Sequence, residues 1–230
     1  MYIQITNKCN MSCSHCAFSC GAKGQSMTMK TFKNALKYCD EENITLGGGE
    51  PTIHPKFWEF IGLGLSVGEI WLATNGSITE TALRLCVMAK RGVIGCALSM
   101  DEWHDPIDQV VVDAFQDGMT RDSPRYSDQG YHPNRGSGTG NQNDRREIRD
   151  VSFNVSKRGR AIESGVWHKD ECTCPGLMCR PNGDMYPCGC SDAPKIGNVN
   201  DDEVDMSILE DEAYRDSECS RDIGKCEVAV

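Results

Sequence analysis

The sequence lacks any apolar run approaching the roughly 20 residues that span a bilayer. It also lacks an excess of positive charge, since 24 Lys and Arg residues face 34 Asp and Glu residues. A general nucleic-acid binder needs a basic surface to displace counterions from phosphates. We therefore expect neither a membrane protein nor a general nucleic-acid binder. One basic stretch keeps a local nucleic-acid groove open as an alternative; it comprises Arg145, Arg146, Arg149, Lys157, Arg158 and Arg160.

The sequence also shows no secretory signal before its first cysteine, because the opening letters MYIQIT are typical of a strand. Cysteine itself is abundant, with 14 residues. Such a content indicates either the disulfides of a secreted protein or metal-binding thiolates in a reducing compartment. Without a signal we expect a cytoplasmic protein, and the cysteines then predict metal sites.

Strand and helix patterns alternate through the first half of the chain. Runs of β-type residues predict strands at 2–6, 44–46, 69–74 and 93–100, and a fifth follows at about 150–155. Helical periodicity predicts helices at 28–42, 55–65, 79–91 and 105–116. Thr28 is the expected N-cap of the first helix, and Gly92 is expected to cap the end of the third. This alternation is typical of right-handed βαβ units in a parallel sheet, whose functional loops lie at the carboxyl ends of the strands. The polar segment 120–146 predicts a long mobile loop.

The first cysteine cluster directly follows the first predicted strand. Cys9, Cys13 and Cys16 lie in the segment CNMSCSHC, and such a compact loop can hold three corners of a cubane iron–sulfur cluster. Because these clusters usually have four thiolate ligands, a trio leaves one iron open to a substrate or cofactor. A structural zinc site is the alternative, with Cys20 or His15 as the fourth ligand.

The trio and a second motif together resemble the radical S-adenosylmethionine (SAM) superfamily. The Cys-x3-Cys-x2-Cys pattern follows the first strand, and Gly48, Gly49, Glu50 and Pro51 (GGEP) follow the second. The resemblance implies an α/β fold of the partial (β/α)6 barrel type, a [4Fe-4S] cluster on the trio and SAM chelated to its open iron. It further implies that GGEP receives the SAM amino group and that the ring of His15 lies against the adenine. An external reductant such as flavodoxin or ferredoxin is the implied electron donor.

Polar residues end the third and fourth predicted strands. Asn75 stands next to Gly76, a pair that by itself indicates a turn, whereas the resemblance implies a contact between Asn75 and the methionyl group or ribose of SAM. Ser99 and Asp101 resemble the family's polar pair that faces SAM or substrate, and we expect Ser99 to bind the cofactor. Asp101 and His104 are the candidate catalytic residues, for substrate contact or proton transfer.

The second cysteine cluster lies near the end of the chain. Cys172 and Cys188 enclose a Cys-x10-Gly-x4-Cys spacing that resembles the start of SPASM and Twitch extensions, which bind auxiliary [4Fe-4S] clusters. Within that spacing, PNGDMYPC predicts a hairpin with Asn182-Gly183 at its turn. The later segment IGNV and the tripeptide Gly159-Arg160-Ala161 (GRA) are also similar to family members. The resemblance implies one auxiliary cluster on Cys172, Cys188, Cys219 and Cys226, with Cys174, Cys179 and Cys190 as rival ligands and a structural zinc as the alternative. The remaining Cys39, Cys86 and Cys96 are expected in the core.

These predictions divide the chain into a partial barrel at 1–165, with 120–146 as a polar insert, and a Cys-rich extension at 166–230. About five strands are predicted, whereas the family core has six βα units. A truncated barrel is therefore an alternative to the complete one. The resemblance implies reductive cleavage of SAM to a 5′-deoxyadenosyl radical, which abstracts a hydrogen from a peptide or small-molecule substrate. Modification of a nucleoside or nucleic-acid base by the same chemistry is an alternative, and a zinc-stapled binding module without catalysis is another.

Overall fold

The computed structural model describes residues 1–39, 44–118, 143–150, 155, 158–167, 176–189, 193–201 and 203–209, and the backbone alone of 126–127. The strands are β1 (Tyr2–Thr6), β2 (Ile44–Gly48), β3 (Ile70–Thr74), β4 (Gly95–Ser99), β5 (Tyr126–Ser127), β6 (Arg146–Arg149), β7 (Met178–Cys179), β8 (Asp184–Tyr186) and β9 (Gly197–Asn198). The α-helices are α1 (Met29–Ala35), α2 (Phe57–Leu65), α3 (Thr79–Lys90), α4 (Gln109–Gln116) and α5 (Arg160–Ser164). Short 3-10 segments lie at Leu36–Tyr38, Pro51–Ile53 and Ser207–Leu209.

The described strands form one sheet in the order β5-β6-β4-β3-β2-β1-β7-β8-β9. In that order, the six pairings that connect β5 through β1 to β7 are all parallel. The pairings of β7 with β8 and of β8 with β9 are antiparallel. Since parallel neighbours need a crossover connection, α1, α2 and α3 follow β1, β2 and β3 along the chain. The predicted α/β fold with a parallel sheet is therefore confirmed. Within the described residues the sheet is open, with β5 and β9 at its two edges.

The hydrophobic core lies between the helices and one face of this sheet. Ile3 and Ile5 of β1 are fully buried there, together with Phe32 of α1 and Phe60 of α2. The rings of these two phenylalanines stack with centroids 4.2 Å apart. Because successive strand side chains alternate in direction, Gln4 lies on the opposite face.

Helix ends follow the capping signals of the sequence. The side chain of Thr28 accepts the N–H of Thr31 at 3.1 Å and starts α1, as predicted. Gly92, with φ of +72°, follows the end of α3 in the left-handed conformation expected of it. The predicted start of α4 was wrong, because the carboxylate of Asp108 accepts the N–H of Val110 at 3.2 Å and caps the helix there. None of the described helices has the length and apolar character of a membrane span.

The strand that pairs with β4 on its other side lies just before the predicted fifth strand. It is β6, Arg146–Arg149, which pairs with β4 and ends before the predicted range 150–155. The charged residues of β6 concealed it, because only Ile148 gives a hydrophobic signal in that stretch. Residues 151–154 lie outside the described part of the chain.

The described part of the extension continues the main sheet. β7 pairs in parallel with β1, where Met178 lies opposite Tyr2, and Met185 belongs to the main core. β7 and β8 form the hairpin predicted from PNGDMYPC: Gly183 has φ of +92° and donates to the carbonyl oxygen of Arg180 at 2.9 Å. The segment IGNV supplies β9, which pairs with β8. A boundary at 165 stays a prediction, but 176–209 does not stand apart from the sheet.

Candidate active site

The predicted cluster loop begins where β1 ends. Cys9, Cys13 and Cys16 are half-buried free thiols. Two of their sulfurs accept backbone N–H groups, from Met11 to Cys9 Sγ at 3.4 Å and from Cys20 to Cys16 Sγ at 3.3 Å. Hydrogen bonds to ligand sulfurs are one of the means by which proteins set the potential of an iron–sulfur cluster. The loop thus provides two such bonds before any metal is bound.

The Cys16 thiol is prepared to ionise. Hydrogen bonds from the side chain and the backbone N–H of Cys20 lower the pKa of Cys16 to about 6, although burial opposes the charge. The guanidinium of Arg160 acts in the same direction as these bonds. Burial raises the pKa of Cys9, in contrast. Because metals bind the thiolate, three thiols on one loop, one of them readily ionised, fit a [4Fe-4S] cluster with one open iron.

The glycines of the second motif lie against the protein's own backbone. A Cβ atom on Gly48 would overlap the carbonyl oxygen of Thr6, and one on Gly49 would overlap that of Lys8. Gly48 also has φ of +148°, which other residues rarely adopt. The N–H groups of Gly49 and Glu50 donate to the same two carbonyls, Thr6 and Lys8, at 2.9 Å each. GGEP therefore forms a direct junction with the start of the cysteine loop.

Glu50 joins the end of β2 to the end of β3. Its side chain is 1% exposed. One carboxylate oxygen accepts the N–H and hydroxyl of Thr52, at 3.1 and 2.6 Å, and the hydroxyl of Thr74 at 2.8 Å. The other accepts the N–H of Asn75 at 2.7 Å. Burial raises the pKa of Glu50 against the effect of these bonds. The contact of Glu50 with the SAM amino group stays a prediction, and buried Pro51 begins the 3-10 turn beside it.

Asn75 connects the end of β3 to the cysteine loop. Its Nδ2 donates to Oδ1 of Asn10 at 3.1 Å, and its own Oδ1 accepts the N–H and hydroxyl of Ser77 at 3.0 and 2.7 Å. Gly76 has φ of +72°, so the predicted turn is confirmed. Both the nitrogen and the oxygen of the Asn75 side chain thus have partners within the protein. A contact of Asn75 with SAM stays a prediction.

The predicted residues Asp101, His104 and His15 come together after β4. The side chain of Asp101 is almost fully buried, and its Oδ1 accepts the N–H of Trp103 at 3.1 Å and lies 2.6 Å from His104 Nδ1. Its Oδ2 lies 3.6 Å from His15 Nε2. The ring of His15 lies 5.0 Å from that of Trp103, centroid to centroid. Ser99, the last residue of β4, is half-buried two positions before Asp101.

The two histidines of this group differ in charge. Burial opposes a charge on His104, but hydrogen bonds to Asp101 and Cys13 prevail and raise its pKa to about 9. Burial lowers the pKa of His15 to about 4. Ligand atoms of Cys13, His15 and His104 all lie within 4.8 Å of one another, which no other described trio of such residues does. If the loop held a single metal ion instead of a cluster, these three side chains would be its ligands.

Arg149 is a site residue that sequence reasoning missed. Among the described residues, three buried side-chain polar atoms have no hydrogen-bond partner: His15 Nδ1, Asp101 Oδ2 and Arg149 Nε. Arg149 ends β6 and lies opposite Ser99 of β4. It therefore lies at the carboxyl ends of the parallel strands, where the cysteine loop also begins. Burial lowers the pKa of Arg149. Unpartnered buried polar atoms are uncommon in folded proteins, and a polar ligand at this edge would satisfy them.

The basic stretch of the sequence does not form one basic surface among its described residues. Arg146 is 1% exposed and pairs with buried Asp144, with 2.7 Å between Nη2 and Oδ2. Arg145 pairs with Glu69 at 2.9 Å, and Arg160 contacts the cysteine loop. This dispersal counts against a nucleic-acid groove built from the stretch.

The second cysteine cluster lies mostly outside the described residues. That holds for Cys172, Cys174, Cys190, Cys219 and Cys226. Cys188 follows β8 and is half-buried. Cys179 is fully buried on β7, and burial raises its pKa to about 12, which disfavours the thiolate that a metal needs. Cys86 and Cys96 lie in the core and Cys39 packs against it, as predicted.

The radical SAM superfamily model matches residues 3–117, half of the 230 residues. The matched range begins in β1 and ends just after α4. It contains the cysteine loop, GGEP and the pair Asp101 and His104. The chain belongs to the radical SAM superfamily. It is therefore a radical SAM enzyme, and membership implies a [4Fe-4S] cluster and SAM as cofactors.

Relatives of known name match only parts of this radical SAM chain. Mycofactocin maturase MftC of Mycobacterium tuberculosis (strain CDC 1551 / Oshkosh) is 37% identical over 90 residues, which is 36% of this chain and 23% of that protein. The tungsten-containing aldehyde ferredoxin oxidoreductase cofactor-modifying protein of Pyrococcus furiosus is 30% identical over 111 residues, 44% of this chain and 30% of that protein. The chain thus matches less than a third of either relative's length.

A solved structure shares the fold over nearly the whole chain. BtrN in complex with AdoMet and 2-DOIA aligns with a TM-score of 0.60, over 93% of this chain and 82% of that chain. The two sequences are 15% identical. A likeness at that identity concerns the fold alone, and it agrees with the parallel open sheet described above.

Proposed function

We propose that this radical SAM enzyme holds its [4Fe-4S] cluster on Cys9, Cys13 and Cys16 and binds SAM along the carboxyl ends of β2, β3 and β4. The observation that carries the proposal is the junction between the two motifs, in which Gly49 and Glu50 donate to carbonyls at the start of the cysteine loop. When bound and reduced, the cluster supplies the electron that cleaves SAM to a 5′-deoxyadenosyl radical. The protein's own part is to bind, orient and exclude water.

Glu50 acts on SAM indirectly in this proposal. Its carboxylate already accepts four hydrogen bonds from Thr52, Thr74 and Asn75. We therefore assign to Glu50 the role of holding GGEP in place. Carbonyl oxygens of that segment accept hydrogen bonds from the ammonium group of SAM. Arg149 Nε is a buried donor without a partner among the described residues, and it suits the carboxylate that SAM also carries. Ser99 lies opposite Arg149 and is assigned to the same cofactor.

Asp101 and His104 are assigned to the substrate side of the site. The 2.6 Å contact between them fixes the imidazole, and Asp101 Oδ2 has no hydrogen-bond partner among the described residues. A buried, oriented carboxylate–imidazole pair can hold a substrate hydroxyl or amine and move a proton from it. His15, uncharged and beside Trp103, keeps its assignment as a flat surface for the adenine.

We assign the C-terminal residues to a Twitch-like extension with one auxiliary [4Fe-4S] cluster on Cys172, Cys188, Cys219 and Cys226. The hairpin β7–β8 with its glycine turn and the pairing of IGNV as β9 support that assignment. The buried thiol of Cys179 leaves Cys174 and Cys190 as the rival ligands. An auxiliary cluster can accept an electron from a substrate radical or ligate the substrate. Flavodoxin or ferredoxin is the proposed external reductant.

The proposed substrate is a peptide or a small molecule. Two relatives are named a maturase and a cofactor-modifying protein, which favours modification of a precursor of some kind. A nucleoside or nucleic-acid base is the less favoured class, because Arg145, Arg146 and Arg160 each have partners elsewhere. Enhanced 5′-deoxyadenosine formation on addition of one substrate class and not the other separates them.

Binding of SAM to the cluster is the direct test of the proposed site. The reduced, reconstituted protein is titrated with SAM while its electron paramagnetic resonance spectrum is recorded. We expect a SAM-dependent change in the spectrum, and Arg149→Gln should weaken SAM binding by about tenfold, as expected for a buried charged hydrogen bond of about 1.5 kcal/mol or more. Arg145→Gln is the matched control, because Arg145 is only partly buried and pairs with the exposed Glu69. A spectrum indifferent to SAM contradicts the site.

A further inference from the structure

Arg160 reaches from the second half of the chain to the backbone of the cysteine loop. Its Nη1 donates to the carbonyl oxygen of Cys13 at 2.8 Å, across 147 positions of sequence. Its Nη2 donates to the carbonyl oxygen of Cys20. Its own backbone N–H donates to the carbonyl oxygen of Cys16 at 2.9 Å. One residue therefore holds three carbonyls of a loop that has no helix or strand of its own between Cys9 and Cys20.

Gly159 allows this approach. Its φ of +50° lies in the left-handed region that favours glycine. A Cβ atom there would lie 2.6 Å from the backbone carbon and oxygen of Ala17 and 2.7 Å from the carbonyl oxygen of Cys16. Backbone atoms cannot move aside as a flexible side chain can. Any other residue at 159 would push the loop away from Arg160.

Ala161, the residue after Arg160, packs into a hydrophobic cluster that fixes this part of the chain. It is fully buried in a small cluster with Val155, to which Trp103 and Trp167 also pack. Trp103 in turn lies against His15. The helix α5 begins at Arg160, so the guanidinium is held at the start of a segment that is itself seated next to the loop.

We propose that Gly159, Arg160 and Ala161 form a clamp on the cysteine loop, in which Arg160 is a positioning residue for the [4Fe-4S] cluster. The clamp holds the backbone of the loop, so the thiols of Cys13 and Cys16 keep their spacing while iron enters or leaves. Its positive charge lies beside the thiolates and stabilises the more negative, reduced cluster. The inference rests on the proposed cluster site at Cys9, Cys13 and Cys16.

The test compares Arg160→Gln, Arg160→Lys and Gly159→Ala with the parent and with Arg145→Gln as the surface control. Iron held by the trio is taken as the difference between each protein and the same protein with Cys9, Cys13 and Cys16 changed to Ala. The measurements are the rate of iron release to a chelator and the midpoint potential of the cluster. Circular dichroism of each metal-free protein reports whether the chain is folded.

Release from Arg160→Gln should be faster by about tenfold or more, as for other residues that support metal ligands indirectly, and its potential should be lower. Arg160→Lys should keep the potential near that of the parent but release iron quickly, because an ammonium cannot bridge two carbonyls as the planar guanidinium does. Gly159→Ala should release iron quickly as well. Arg145→Gln should match the parent in both measurements.

Equal release rates in the parent and in folded Arg160→Gln overturn the clamp. Should Arg160→Gln fail to fold, Arg160→Lys decides by the same criterion. A parent protein that takes up no iron on the trio refutes the proposed cluster site, which is a different result from a loaded parent with an unaffected variant. The two failures are therefore distinguishable.

Discussion

The carboxylate of Glu50 accepts the backbone N–H of Asn75 in a 2.7 Å hydrogen bond that ties the end of β2 to the end of β3. The same carboxylate accepts the N–H of Thr52 through its other oxygen. Each oxygen of this buried carboxylate therefore accepts a hydrogen bond from a backbone N–H group. The acidic residue of the GGEP motif thus serves as a structural junction between two strand ends, and the region for SAM is built around it.

Glu50→Gln should destabilise the metal-free protein by about 1–3 kcal/mol. The amide group of glutamine must place its NH2 against one of two backbone N–H groups, which leaves buried donors unpaired. Glu59→Gln is the control, because Glu59 is exposed and forms only a surface pair with Lys56. Urea unfolding measures both. Equal midpoints for the two variants contradict a structural role for Glu50.

Two glycines offer a matched pair for the junction between GGEP and the cysteine loop. Gly48→Ala should destabilise the protein by about 1–3 kcal/mol or more, because its φ is positive and its Cβ would overlap Thr6. Gly62→Ala should stabilise it by roughly 0.5–1 kcal/mol, since Gly62 is helical with open space around it. Thermal unfolding of the metal-free variants checks the signs. A harmless Gly48→Ala rules out the close junction.

The buried pair of Arg146 and Asp144 holds the end of α4 next to β6. Arg146 also donates to the carbonyl oxygens of Ala114 and Asp117, at 2.6 and 3.0 Å. Arg146→Met should cost about 3–5 kcal/mol, because it removes the guanidinium that neutralises the buried carboxylate of Asp144. The double variant with Asp144→Asn should recover part of that loss in denaturant unfolding. If the double variant is the less stable of the two, the pair is not the source of the cost.

Local patterns were sufficient to predict much of the fold. Thr28 and Gly92 marked helix ends, and the β-type runs of β1 to β4 marked strands, because these features depend on neighbouring residues. The cysteine trio and GGEP were recognisable for the same reason, since each motif is contiguous. Their meeting at one sheet edge followed from the parallel order of the strands, which alternation predicts.

Long-range contacts could not be predicted in the same way. The partners of Glu50 lie on β3, and Arg160 meets Cys13 across 147 positions. Arg149 was grouped with its charged neighbours, although its strand carries it to the site while Arg146 is buried elsewhere. Only the folded chain separates side chains of one type into such different surroundings.

The auxiliary site predicts an iron content that survives loss of the first cluster. Simultaneous replacement of Cys9, Cys13 and Cys16 by Ala should leave about four irons per chain after anaerobic reconstitution, the content of one [4Fe-4S] cluster. Replacement of Cys188 as well should abolish that remainder, whereas Cys179→Ala should not, because Cys179 is buried in the core. Iron and sulfide analysis decides. A triple variant without iron removes the auxiliary cluster from the account.

Formation of 5′-deoxyadenosine tests the central claim, that Cys9, Cys13 and Cys16 hold the cluster that cleaves SAM. The anaerobically reconstituted chain is incubated with SAM and a strong reductant, and the nucleoside is quantified by chromatography beside the iron content. We expect a brown, iron-containing protein that forms 5′-deoxyadenosine, and a Cys13→Ala variant that forms none. A colourless protein with zinc on this loop, or formation unaffected by Cys13→Ala, would contradict the account.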